Sequence, residues 1–167
     1  MSMIGNYYMT DTETVEKIRK GELSAEDFIY NENDEIDEEK SLDIDKAWHA
    51  IHFTLTGEID EGDDDSILSK TVLGGNCVND EDIGYGPAME ITSDEVREIN
   101  AALSSIPQED FRAKFNVKEM IENDIYPVTD DEDEDEFFEY VWIHFEALKE
   151  FYSKASENGC CLLFYIN

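Results

Sequence analysis

Imidazole is the side-chain group whose ordinary pKa, about 6.5, lies nearest neutrality, and the 167-residue sequence holds three histidines. His52 has the most suggestive company. It follows Trp48 by four residues, lies beside an apolar helix face rather than opposite it, and precedes Thr54, Thr56 and Gly57. An imidazole, two hydroxyls and a glycine turn at a helix C-terminus compose a small pocket around Trp48, His52, Thr54, Thr56 and Gly57. The helix end would favour the protonated ring. The plainer alternative is a semi-buried histidine satisfied by a backbone carbonyl, with the threonines capping carbonyls of the last turn.

The remaining candidates carry less chemistry. Asp45 and His49 stand four apart, which predicts a surface Asp–His pair on one helix face. His144 falls on the flank of a long amphipathic helix. Cys77 follows Gly74-Gly75, but nothing basic nearby would lower its pKa and make it a nucleophile. Cys160 and Cys161 are adjacent, so in a strand they point to opposite faces and read as reduced, inert thiols. No C-x-x-C or H-x-x-x-H spacing nominates a metal, and Gly74-Gly75 lacks the context of a phosphate-binding loop. The nearest approach to a calcium loop, Asp80-x-Asp82-x-Gly84, places its glycine one position early. Carboxylate pairs for acid–base work cannot be chosen from 43 acidic residues. The Tyr7-Tyr8 pair, Tyr85 and Tyr126 fit core or pocket-rim packing. No cofactor is expected, and the balance leans away from an enzyme.

The formal charge of −31 narrows the partners the chain could have. Such a field repels nucleic-acid backbones and anionic membranes, and it either attracts a basic protein or serves simply to keep the chain soluble. Nine Phe, eight Tyr and two Trp argue for a folded domain rather than an acidic disordered chain. No apolar run approaches a membrane span, and the first ten residues lack a signal-peptide pattern, so a cytoplasmic location is expected.

Positioning falls to a readable series of elements. Met3–Met9 predicts a strand, Thr12–Lys20 a helix capped by Thr10 or Asp11, and Ser24–Tyr30 a short helical turn. Ile44, Trp48, Ile51 and Leu55 recur at helical spacing, predicting a helix across the segment Leu42–Gly57. Ser66–Leu73 predicts a short helix, Asn76–Gly86 a loop and Ala88–Thr92 a strand. Thr92 and Glu95 form a capping box ahead of a helix to about Leu103. Pro107 opens another helix, Val117–Asn123 a further one, and Ile125–Val128 an extended piece. A long helix carries Phe138, Val141, Trp142, Phe145, Leu148 and Tyr152. Cys160–Ile166 predicts a buried central strand. Three acidic runs interrupt the series: Glu32–Glu39, Glu58–Asp65 and the seven carboxylates Asp130–Glu136. With no repeat and no long linker, residues 1–167 are expected to form one α/β domain. Its predicted form is a three-layer α/β/α sandwich, a small mixed sheet with helices on both faces.

Several motifs in order resemble the YfbM-like family of small bacterial proteins, a domain of unknown function. They are MSMIGNY at the start, LDIDKAWHAIHFTLTG, VLGG, FNVKEM (Phe115–Met120) and Ile125-Tyr126-Pro127. The resemblance implies a three-layer α/β fold and a bacterial source, and it implies no activity. The function expected is that of a non-enzymatic acidic binding protein, immunity-like or a basic-protein partner. The alternative is a small-molecule-binding protein or enzyme with its pocket around His52.

Overall fold

The computed structural model describes residues 2–30, 36–61 and 66–167. Parts of the first two acidic runs, 31–35 and 62–65, lie outside the described residues. The sheet is built from β1 (Gly5–Thr10), β2 (Ser41–Asp43), β3 (Asn76–Cys77), β4 (Met89–Ile91) and β5 (Cys161–Ile166). Their order is β2-β1-β5-β4-β3, which puts the apolar C-terminal strand at the centre, as its sequence predicts.

Every pairing among these strands is antiparallel, which corrects the expected mixed sheet. The expectation took intervening helices to mean parallel crossovers. Here the helices lie within long excursions that return the chain to the neighbouring strand in the opposite direction. α1 (Thr12–Arg19) and α2 (Ala25–Ile29) separate β1 from its neighbour β2 in this way. Between β4 and β5 come α4 (Ser93–Ser104), α5 (Gln108–Lys114), α6 (Val117–Glu122) and α7 (Glu134–Glu157). α3 (Trp48–Thr56) follows β2.

The central register divides the core by side-chain parity. Tyr7 lies opposite Phe164 and Met9 opposite Leu162. These four belong to a large cluster containing Trp48 and Ile51 of α3, Ile99 of α4, Phe111 of α5 and Phe145 of α7. Tyr8 lies opposite Leu163 and points the other way. It packs with Tyr165, Cys161, Val15 and Ile18 of α1, and Ile29 of α2. Stacking of Phe111 on Phe145, with ring centroids 4.4 Å apart, ties α5 to α7.

Local chemistry explains most helix ends. The Asp11 carboxylate accepts from the Thr14 amide at 2.7 Å and starts α1. Thr92 and Glu95 exchange side-chain and backbone bonds at 3.2 and 3.0 Å, completing the predicted capping box of α4. The third acidic run is partly consumed as a helix start. Asp133 caps α7 by accepting from the Glu136 amide at 3.0 Å, and Glu134, Asp135 and Glu136 fill its first turn.

Four local expectations need correction. The segment from Leu42 is not one helix: Leu42 lies in β2, Asp45–Ala47 form one 3-10 turn, and α3 begins only at Trp48. The cause is Asp45, whose φ of 50° is incompatible with a continuing right-handed helix. Its amide donates to the Asp43 carboxylate at 2.7 Å, and its own carboxylate accepts from the Tyr140 hydroxyl at 2.8 Å. Ser66–Leu73 contains only a 3-10 helix, Ile67–Lys70. The expected loop Asn76–Gly86 contributes β3 to the sheet edge. Ile125–Val128 is a turn closed by the Val128 amide on the Ile125 carbonyl at 3.0 Å, not an extended piece. Among the described residues no helix is long and apolar enough to cross a membrane.

Candidate functional site

α3 is apolar around nearly its whole circumference, so it is engulfed rather than laid on the surface. Seven of its nine residues are buried: Trp48, Ala50, Ile51, His52, Phe53, Thr54 and Leu55. Trp48 is oriented by its indole N–H, which donates to the Met3 carbonyl at 2.9 Å. Gly57 ends the helix in the left-handed conformation, its amide donating to the Phe53 carbonyl at 2.7 Å. The chain then doubles back, so the acidic segment Glu58–Glu61 runs beside the helix it has just left.

Two histidines hold that segment. His49 and His52 are three residues apart and so share a face of α3. His49 Nε2 lies 2.9 Å from the Ile59 carbonyl, and His52 Nε2 lies 2.7 Å from the Asp60 carbonyl. A carbonyl only accepts, so both Nε2 atoms carry the proton. His49 Nδ1 in turn accepts from the Tyr126 amide at 2.9 Å, which fixes that ring as neutral. His52 Nδ1 is buried without a hydrogen-bond partner. Burial holds both imidazoles below their ordinary pKa, outweighing the Ile59 and Asp60 carbonyls and the nearby carboxylates that act in the opposite sense.

Beside this staple lies an open cleft of about 860 Å³, lined by Trp48, His49, residues 57–61, Leu73, Asn123 and Ile166. Its rim carries Glu58, Asp60 and Glu61, all exposed. Among the described residues no Lys or Arg lines it. The structure therefore brings Trp48 and Gly57 of the predicted set to the cleft and adds His49. His52 is fully enclosed. Thr54 is buried and spends its hydroxyl on the Ala50 carbonyl at 2.7 Å. The Thr56 hydroxyl donates to the His52 carbonyl at 2.8 Å and accepts from the Glu58 amide at 3.0 Å.

The expected Asp45–His49 pair does not form, because Asp45 precedes α3 and turns to Tyr140 while His49 turns to Ile59 and Tyr126. His144 packs edge-on against Tyr140, with centroids 4.9 Å apart. Cys77 is exposed on β3, Cys160 half-buried and Cys161 buried, all free. Among the described residues no three His, Cys, Asp or Glu side chains are grouped to hold a metal ion. Sequence reasoning missed the role of His49 with Ile59, Asp60 and Tyr126. The available signal was the His49/His52 spacing just ahead of a glycine-ended helix and an acidic return.

Comparison with known proteins places this geometry in a family. Residues 1–165 match the domain of unknown function DUF1877. The chain belongs to the DUF1877 family. Protein YfbM of Escherichia coli K12 is 30% identical over 164 residues, 95% of each chain. The crystal structure of YfbM, described as a protein of unknown function, superposes with a TM-score of 0.77 at 25% identity, covering 98% of this chain and 99% of that one. The YfbM-like resemblance drawn from the motifs is thereby established across the chain. DUF1877 membership supplies the fold and leaves the activity to be argued from the cleft.

Proposed function

We propose that this DUF1877 chain is a non-enzymatic, cytoplasmic binding protein whose cleft receives a basic segment of a partner protein, in the manner of an immunity protein or a basic-protein partner. The observation that carries this reading is the composition of the cleft's described lining: three exposed carboxylates, a neutral histidine and no lysine or arginine. A cation entering there meets attraction from every charged wall, reinforced by the formal charge of −31. His49 has both ring nitrogens engaged and His52 is enclosed, so neither stands ready as a general base. The two core clusters on opposite sheet faces support a three-layer α/β/α frame behind the cleft.

The test is titration with octalysine at low and high salt. Glu58→Lys/Asp60→Lys/Glu61→Lys is expected to weaken binding by at least about tenfold. A matched reversal of exposed carboxylates on α7, Glu146→Lys/Glu150→Lys/Glu157→Lys, is expected to weaken it far less. Equal losses, or affinity indifferent to salt, would refute the cleft as the receiving surface.

A second reading is a small-molecule site on the other side of Gly57. Thr54, Thr56 and Gly57 line a concavity of about 490 Å³ there with Lys114, Phe115, Asn116 and Glu119, a size suited to a small ligand. It predicts a compound that raises the melting temperature of the wild-type protein and not of Lys114→Glu. Screening by thermal shift that finds no such compound would remove it.

A further inference from the structure

The cleft does not end at its acidic rim. Glu61, Leu73 and Ile166 also line a second depression of about 180 Å³, together with Tyr85, Pro87, Met89, Phe164 and Tyr165. The two depressions thus meet along one shared border, across the end of the central strand β5. Their chemistry differs sharply. The first carries the carboxylates of Glu58 and Asp60 with that of Glu61 at the border, while beyond the border the described lining residues hold no further charge. Tyr85 lines this second depression, 43% exposed, and is held through its backbone, whose amide donates to the Ile166 carbonyl at 2.8 Å. An exposed tyrosine beside proline and methionine is the composition of a contact surface rather than of a solvated loop.

We infer that the joined grooves receive one linear polypeptide segment of a basic partner, with Lys or Arg side chains at the Glu58–Glu61 end and apolar side chains at the Tyr85–Met89 end. This deepens the proposed function and rests on it. Charge complementarity selects the occupant. A second copy of this chain would bring another −31 charges to the same surface, whereas a basic protein gains from the whole field while its segment fills the groove. A purely cationic ligand would leave the apolar half wet. A purely apolar one would have to cover carboxylates without neutralising them, which is costly.

The experiment compares two probes of equal positive charge by fluorescence anisotropy: octalysine, and an octalysine carrying a Leu-Phe-Leu extension. The extended probe is expected to bind at least about tenfold more tightly, the return on burying two or three apolar side chains in part. Tyr85→Asp is expected to erase that advantage and leave octalysine binding within about twofold. Because Tyr85 is exposed, the variant is expected to fold, and an unchanged circular dichroism melt checks this. Equal affinities for both probes, or an advantage that survives Tyr85→Asp, would overturn the bipartite groove and leave the basic-partner reading standing. Failure of both probes to bind would overturn that reading as well. Self-association that Tyr85→Asp abolishes, seen by sedimentation, would assign the groove to a second copy instead, and equal binding of a small cationic amphiphile would show that no polypeptide is required.

Discussion

Gly75→Ala is expected to lower the unfolding free energy by about 4 kcal/mol, whereas Gly57→Ala is expected to cost only about 1 kcal/mol. Both glycines adopt positive φ, 100° at Gly75 and 75° at Gly57, so both substitutions pay for a conformation that side chains disfavour. Their surroundings differ. A Cβ at Gly57 meets nothing within 4 Å, while one at Gly75 falls 2.3 Å from the Glu90 carbonyl oxygen. Gly75 leads directly into β3, whose Asn76 pairs with Glu90. β4 cannot retreat, because Glu90 also pairs with Leu163 of β5, and its buried carboxylate accepts from Arg19 at 2.8 Å. Relief must come by peeling β3 from the sheet edge. Denaturant unfolding at constant m-value measures both costs. Equal losses at the two positions would mean that β4 yields freely, and the sheet-edge argument would fail.

Gly75 also shows where the sequence speaks and where it falls silent. A Gly-Gly pair was legible as a turn and as the wrong context for phosphate. That the second glycine must admit the carbonyl of a strand fifteen residues away was not, because close approach is a tertiary fact. Local rules served well elsewhere. The Asp11 cap, the Thr92–Glu95 box and the central strand after Gly159 all follow from residues within one or two turns of each other. The sense of each strand pairing depends on how long excursions return, which no periodicity encodes. Likewise the apolar repeat from Ile44 to Leu55 persisted through Asp45, and only its left-handed backbone divides strand from helix. At the cleft, the spacing of His49 and His52 was in view, but which imidazole faces solvent depends on where Glu58–Glu61 returns. Hence Trp48 and Gly57 proved to border the cleft while His52 was enclosed.

Acidification from pH 7.5 to 5.5 is expected to destabilise the protein and to release the Tyr126 amide from His49 first. His49, His52 and His144 all have their pKa held below the ordinary imidazole value by burial. The folded state therefore favours the neutral rings, and the unfolded chain takes up protons first as pH falls below about 6.5. Their contribution is complete above that value and is lost as pH descends through the lower folded values. At His49 the consequence is geometric as well. A proton on Nδ1 destroys the acceptor of the Tyr126 amide. Asp60 and Glu58 lie close enough to favour the charged rings, and His52 and His49 would repel each other once both are protonated. Relief of the −31 charge by carboxylate protonation acts in the stabilising direction, but mainly nearer pH 4. The decisive comparison is His49→Gln/His52→Gln, which keeps an N–H for each loop carbonyl and removes both titrations. Its melting temperature should vary over this range by no more than His144 allows, while that of the wild-type protein falls. Hydrogen exchange gives the local reading: the Tyr126 amide should lose protection before amides of β5. If wild type and variant share one pH profile, or Tyr126 keeps its protection at pH 5.5, the neutral imidazoles neither set the pH dependence nor hold the Tyr126 turn.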